Sequence, residues 1–276
     1  MQHILTLTWL TFHEARRRRM ALAALIVGVL FLGLFSLGFW LIDRELASND
    51  VPALAIQQAH SFITIAGLYV IHFLTVMLAI FASADTLSGE IATHTIQAIV
   101  TKPVRRWHVL IGKWLGFALM LALYLGVLGA SVLGATWLIS GYLPPNPVQG
   151  IALLILEAQV LTALSLLGGT RLSTLTNGVT LFLLYALTFI GAWVEQIGAL
   201  LQSSNAVRVG IVTSLLLPVE SLWRRAAYLM QPPLANSIPT PFAVSSVPSD
   251  AMVVYAILYA GVALLLAMRV FGRRDL

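Results

Sequence analysis

The chain alternates between long apolar stretches and shorter polar connections. Crossing the hydrocarbon core of a bilayer as a helix takes about 20 largely apolar residues. Six stretches meet or approach that length: Met20–Ile42, Phe62–Ala84, Trp114–Ile139, Ile151–Gly168, Asn177–Val194 and Ala251–Met268. A seventh run, Val207–Leu217, ends at Pro218 and is too short to span, so we interpret it as a re-entrant or interfacial segment. The pattern therefore predicts an all-α integral membrane protein with six transmembrane helices in a single domain, residues 1–276.

Composition supports the membrane prediction. Hydrophobic residues make up 59% of the 276 residues and charged residues only 10%, whereas a soluble domain carries about 25% charged residues. The formal net charge of +5 comes from arginine clusters at the ends of apolar runs, so we expect a lipid bilayer and no nucleic acid as a partner. The absence of cysteine excludes disulfides, thiolate metal sites and a cysteine nucleophile.

The basic residues predict the orientation of the chain. With six crossings and both termini on the inner side, twelve of the sixteen Lys and Arg residues fall inside. Only Arg44, Arg208, Arg224 and Arg225 remain outside. Basic residues favour the cytoplasmic side, so the pattern predicts cytoplasmic termini in a multi-pass protein of the cell membrane, inner or plasma.

Three connections are predicted on the outer side, and the middle one is the proline-rich stop Pro144–Pro147 between the third and fourth spans. The first is a loop at Asp43–Ser61, and the last is the proline-rich segment Glu195–Asp250. Within the last segment, Glu220–Met230 contains helix-forming residues around Trp223. We interpret this stretch as a helix that lies in the membrane interface.

The connection between the second and third spans, Asp85–Lys113, is the most informative polar stretch. Its first half is predicted to be helical, and Pro103 stops the helix. Ile96, Ile99 and Val100 are spaced at i, i+3 and i+4, which places them on one helical face. A short amphipathic helix of this kind lies on lipid or fits a groove in a partner. The same stretch is also typical of a solvated loop that carries positive-inside charges.

Several residues of this connection carry a resemblance to a known family. They are Glu90, Thr95-Ile96, the turn Thr101-Lys102-Pro103-Val104, Arg105 or Arg106, and Gly112-Lys113. The connection resembles the signature between helices two and three of ABC-2 type transporter permeases. The N-terminal Glu14–Arg19, the C-terminal Phe271–Leu276 and the order of the spans resemble that family too. His94 departs from it, because the family usually has Gly there. The subfamily most similar to the chain contains the permease that serves nitrous-oxide reductase maturation.

The resemblance implies a function and a set of partners. The chain would be the permease subunit of an ATP-binding cassette transporter, an exporter that forms a homodimer and pairs with two soluble ATP-binding subunits. The loop helix would be a coupling helix seated in the ATPase, and the Gly168–Asn177 loop would make a second contact. Nucleotide binding would then bias a two-state element of the permease. The coupling residues that the resemblance implies are Glu90, Thr95, Ile96, Ile99, Lys102, Pro103, Arg105, Arg106, Lys113 and Arg171.

The chain lacks a phosphate-binding loop of its own. Such a loop has the pattern Gly-x-x-x-x-Gly-Lys followed by Ser or Thr, whereas Gly112-Lys113 is followed by Trp114 and lacks the upstream glycine. We therefore expect ATP and Mg on the partner ATPase, no cofactor on this chain and no enzymatic activity of its own. Two alternatives stay open. One is a membrane-embedded enzyme, although no paired Asp, His-Glu-x-x-His or Ser-base pattern is present; the other is a non-transporting membrane scaffold.

Two polar residues inside the predicted spans are candidates for a substrate path or gating. Glu157 is an acidic residue whose ionised form costs about 2.5–3.5 kcal/mol at the centre of a bilayer. His72 lies inside the second span and His60 just before it. The histidines are more typical of helix–helix hydrogen bonding than of a metal centre, and we predict no metal site. For Glu157, a structural pair is the alternative interpretation.

Two further patterns predict packing and anchoring. Gly126, Ala130 and Gly134 form a ridge of small residues at spacing i, i+4 and i+8, which predicts close helix packing within or between subunits. The tryptophans, Trp223 among them, fall near the ends of predicted spans. Tryptophan favours the membrane interface, so these residues are predicted to be interfacial anchors.

Overall fold

The computed structural model of the chain describes residues 2–17, 19–49, 51–92, 105–233 and 246–274. Every regular element in these residues is an α-helix, which confirms the all-α prediction for this part of the chain. The helices in chain order are α1 (Gln2–Arg17), α2 (Arg19–Ser48), α3 (Ala53–Ala92), α4 (Arg106–Ser140), α5 (Pro147–Gly169), α6 (Thr174–Leu200), α7 (Ser204–Leu216), α8 (Val219–Met230) and α9 (Asp250–Gly272).

Within the described ranges, six helices are long and apolar enough to cross a membrane, namely α2, α3, α4, α5, α6 and α9. Each contains one predicted span, so the number and order of candidate spans are confirmed. The predicted outer loop Asp43–Ser61 is wrong in extent, because α2 continues to Ser48 and α3 already begins at Ala53. The physical reason is that Glu, Leu and Ala on both sides of Pro52 are strong helix formers.

The predicted outer segment between the last two spans contains a bent helix pair, α7 and α8, with an angle of 110° between them. Pro218 lies at the break, as expected for a residue that cannot continue a helix. The predicted helix at Glu220–Met230 is present as α8. Its apolar face is covered by protein and not by lipid headgroups, because α8 packs against α5 and Leu222, Ala226 and Met230 are fully buried. The interfacial depth of α8 stays a prediction.

Several helix ends meet at one end of the bundle. α1 packs along the first half of α4, where Gly112 faces Leu7. At the start of α4, Arg106 donates to the backbone oxygen of Arg274 at 2.5 Å. Arg274 in turn donates to the backbone oxygen of Thr170, after α5. The chain ends and loops that were predicted to share a side therefore lie together at this end.

The helices differ in how deeply they are buried. α3 and α5 contribute most to the core and contact each other as well as α4. α2 has few buried residues, among them Gly28 and Phe39. An apolar helix that is exposed on nearly all sides is typical of a helix that faces lipid. The interior between α3, α5 and α8 is where the polar residues of the spans come together.

Candidate functional site

Three ionisable side chains from three helices meet inside the bundle, and we refer to them as the buried triad: His72 of α3, Glu157 of α5 and Glu220 of α8. Nδ1 of His72 lies 2.6 Å from Oε1 of Glu157, and Nε2 lies 3.5 Å from Oε1 of Glu220. The side chains of His72 and Glu157 are 0% exposed and that of Glu220 is 5% exposed. Ionisable groups in a membrane are costly unless they pair, which explains why these three lie together.

Aromatic side chains surround the buried triad. The rings of Tyr69 and Trp223 stack on His72 with centroid separations of 5.6 and 5.0 Å. Tyr185 of α6 interacts electrostatically with Glu220. The prediction that Trp223 is an interfacial anchor is wrong, because its side chain is 5% exposed and lies in the bundle interior. The fold of α8 into the bundle carries both Glu220 and Trp223 to this position.

The structure brings the two predicted gating candidates together. His72 and Glu157 are hydrogen-bonded across two helices, so the two residues form a pair, while both a gating role and a purely structural role stay predictions. His60 lies elsewhere, with its Nε2 atom 2.9 Å from Oδ1 of Asp43 on α2. Glu157 and Glu220 approach different ring nitrogens of His72 and therefore lie on different sides of the ring. Among the described residues, no group of three or more His, Asp or Glu side chains is placed to hold a metal ion.

A second buried ion pair lies beside the buried triad. Arg224 of α8 contacts Glu195 of α6 through two nitrogen–oxygen pairs, each 2.8 Å long. This bidentate geometry is the strong form of an arginine–carboxylate contact. Ser246 also donates to Glu195, at 2.6 Å. Sequence reasoning missed both Glu220 and Arg224. Their i, i+4 spacing places both on one face of α8. This spacing was the sequence feature from which a polar face on α8 could have been predicted.

Two predicted coupling residues form an ion pair across the polar connection. Glu90 near the end of α3 pairs with Lys113 of α4. The side chain of Lys113 is 4% exposed and that of Glu90 is 14% exposed. The pair joins the two helices that flank residues 93–104. The other coupling predictions in this connection, Thr95, Ile96, Ile99, Lys102 and Pro103, lie outside the described residues.

The remaining predicted coupling residues lie near the C-terminal end of α9. Arg105 is exposed just before α4, and Arg106 is held by backbone oxygens of the C-terminal residues. A cavity of about 510 Å³ lies beside them. Its lining includes four arginines, Arg171, Arg269, Arg273 and Arg274. The loop after α5 and the end of α9 therefore form one basic surface.

The predicted ridge of small residues on α4 lies on an open face. A Cβ atom added at Gly126 or Gly134 would meet no atom within 4 Å, and Ala130 is exposed. Within the described residues the ridge therefore makes no close helix contact, and packing between subunits stays a prediction. Close approaches on α4 occur instead at Gly112 and Gly116, where an added Cβ would lie 2.6 Å from Cβ of Leu7 and 2.7 Å from Cβ of Thr11, both in α1, and at Gly129, which faces Ile151 of α5.

The described residues form a helical bundle with six candidate spans, a buried triad and a basic surface at one end, which defines a multi-pass membrane protein. The chain belongs to the ABC-2 family transporter proteins, whose sequence profile matches residues 5–276. A search of curated proteins gave no match. The family match confirms the resemblance at the family level and supports a role as a membrane permease. The similarity to the nitrous-oxide reductase maturation subfamily stays a prediction.

Proposed function

We propose that this chain is the transmembrane subunit of an ATP-binding cassette exporter that is driven by a separate ATP-binding subunit. The family match supports the permease role. The absence of a phosphate-binding loop from the sequence supports ATP hydrolysis, with Mg, on another chain. The observation that carries the proposal is the ion pair between Glu90 and Lys113, because it ties together the two helices on either side of the predicted coupling segment.

The position of this pair provides a route for coupling. A force applied to residues 93–104 reaches α3 and α4 together, since Glu90 and Lys113 connect them. α3 is one continuous helix, and His72 lies 18 residues before Glu90, which is about 27 Å along the helix axis. A rigid helix transmits a small displacement at one end to the other. Movement at the ATPase would in this way reach the buried triad.

The proposal includes the orientation of the chain in the membrane and its contacts with the other subunits. In the proposed arrangement the end with Arg171, Arg273 and Arg274 faces the cytoplasm of the cell, because basic residues favour that side of the membrane. This basic surface would supply the second contact with the ATPase. The open ridge Gly126–Gly134 would pack against a second permease copy, so that the complex holds two permeases and two ATPases.

The first test is recovery of the partner. The chain is isolated gently from its native membrane in nanodiscs, the bound proteins are identified by mass spectrometry, and ATP hydrolysis is measured. We expect a soluble ATP-binding subunit in equal amount to the permease. Recovery of the chain alone would contradict the proposal and favour a membrane scaffold. Turnover of a lipid by the purified chain alone would indicate a membrane-embedded enzyme.

Removing one partner of the coupling pair is expected to uncouple the complex. Glu90→Ala should weaken the coupling between the two subunits by about 1–3 kcal/mol, because α3 and α4 no longer move together, and the stimulation of ATP hydrolysis by the permease should fall accordingly. The exchange Glu90→Lys with Lys113→Glu should restore part of the rate. Glu14→Ala on α1, which removes an exposed carboxylate, is the control. Normal coupling in Glu90→Ala would show that the pair has no part in the coupling.

A further inference from the structure

The buried triad has an unusual proton requirement. Each ring nitrogen of His72 faces a carboxylate oxygen: Nδ1 is hydrogen-bonded to Glu157 at 2.6 Å, and Nε2 lies 3.5 Å from Glu220, a distance for an ion pair without hydrogen-bond geometry. A neutral imidazole carries a single N–H donor. Two protons are therefore needed to place one in each nitrogen–oxygen contact. With both contacts filled, the triad still carries one net negative charge.

The remaining negative charge has no cation beside it in the described part of the chain. The charges that act on His72 are those of Glu157 and Glu220. The other titratable groups that face the triad are Tyr69 of α3 and Tyr185 of α6, and both are neutral phenols in their ordinary state. The nearest arginine along α8, Arg224, is engaged by Glu195.

The geometry also shows where a further proton would go. Oε2 of Glu157 and Oε1 of Glu220 are both buried and have no hydrogen-bond partner among the described residues. Oε1 of Glu220 faces Nε2 of His72 at 3.5 Å, whereas the contact of Glu157 with His72 is made by its other oxygen, Oε1, which leaves Oε2 as the place for a further proton. A buried charge without compensation is costly in an apolar environment, whereas a protonated carboxyl is neutral and also becomes a donor. One more proton on this oxygen makes the whole triad neutral. A metal ion is a poor substitute for that proton, because no group of three or more ligating side chains converges within the described residues.

We propose that the buried triad is a proton-binding site, with the bound proton on Glu157 and the exchange controlled by His72 and Glu220. With the proton bound, the neutral triad holds α8 against α3 and α5. Proton release leaves an uncompensated negative charge between α5 and α8 and loosens that contact. The proton balance is complete: the proton comes from water and returns to water. This inference goes beyond the proposed function, since proton binding needs neither the ATPase nor a cargo.

Trp223 provides a direct test, because its ring stacks on His72 with a centroid separation of 5.0 Å. The purified chain in nanodiscs is titrated from about pH 5 to about pH 9, a range around the ordinary titration of histidine, and tryptophan emission is recorded. The difference between wild type and Trp223→Phe isolates the Trp223 signal. We expect this signal to show a protonation step that Glu157→Gln abolishes or shifts by at least about one pH unit.

A matched control and a second measurement keep the test decisive. Asp250→Asn removes a carboxylate that pairs with α8 but is 90% exposed, and it should leave the transition unchanged. Infrared difference spectra of the wild type should show a protonated carboxylic acid that disappears at high pH. A flat Trp223 signal together with no such band would overturn the proposal, as would an unchanged transition in both Glu157→Gln and Glu220→Gln. These readouts need no ATPase, so failure of the proposed function leaves them unaffected.

Discussion

Replacing Arg224 by Met is expected to lower the free energy of unfolding by about 3–5 kcal/mol, the usual cost of breaking a buried ion pair on one side. The side chains of Arg224 and Glu195 are 5% and 4% exposed, so the substitution leaves the Glu195 carboxylate charged and buried. The remaining hydrogen bond from Ser246 to Glu195, 2.6 Å long, does not compensate a full charge. Thermal unfolding in nanodiscs, followed by circular dichroism, measures the change.

The neighbouring residue supplies the control for this prediction. Arg225 pairs with Asp250, whose side chain is 90% exposed, and donates to the backbone oxygen of Pro248. Its loss leaves no charge buried, so Arg225→Met should cost less, about 1–2 kcal/mol. The double substitution Arg224→Met with Glu195→Met should recover most of the loss, because no buried charge remains. Equal losses of stability in Arg224→Met and Arg225→Met would mean that burial does not determine the strength of these ion pairs.

Gly210→Ala is expected to destabilise the protein by about 1–3 kcal/mol, the usual cost of overpacking. An added Cβ would lie 2.3 Å from Cβ of Glu195 and 2.7 Å from the backbone oxygen of Gly191. Backbone atoms cannot rotate away, so α7 has to shift from α6. The shift also disturbs Glu195 and thereby its pair with Arg224. The same unfolding measurement reports the effect.

A glycine on an open helix face gives the opposite expectation. A Cβ added at Gly261 on α9 would meet no atom within 4 Å, so Gly261→Ala should be neutral or stabilise the chain by up to about 1 kcal/mol through helix propensity. Similar destabilisation by Gly210→Ala and Gly261→Ala would show that the close contact between α6 and α7 is not the cause.

The sequence predicted the spans well and their surroundings less well. Hydropathy detects a span because about 20 consecutive apolar side chains are needed to match the bilayer, and each predicted span lies inside one helix. Hydropathy does not show how far a helix continues beyond its apolar stretch. Ser48 and Ala53 therefore lie in helices that the pattern had assigned to a loop, since polar helix formers continue a helix as readily as apolar ones.

The candidate site was only half predictable. The sequence identified His72 and Glu157 as two separate candidates, because each is a polar residue in an apolar stretch. Their contact depends on how α3 packs against α5, which no local pattern encodes. Glu220 and Trp223 were assigned to the outer side because they lie in the connection between the last two predicted spans, and only the folding of α8 into the bundle places them beside His72.

The sequence by itself determined that this protein resides in a lipid bilayer, how many candidate spans it has and which family features it carries, because these depend on local composition and short motifs. The tertiary structure alone decided which charges meet. It paired Glu157 with His72, Arg224 with Glu195 and Glu90 with Lys113, residues separated by 23 to 85 positions. The physical reason is that an ionisable group in an apolar interior is stable only beside a partner. The sequence shows the need for a partner, and the packing of the helices selects it.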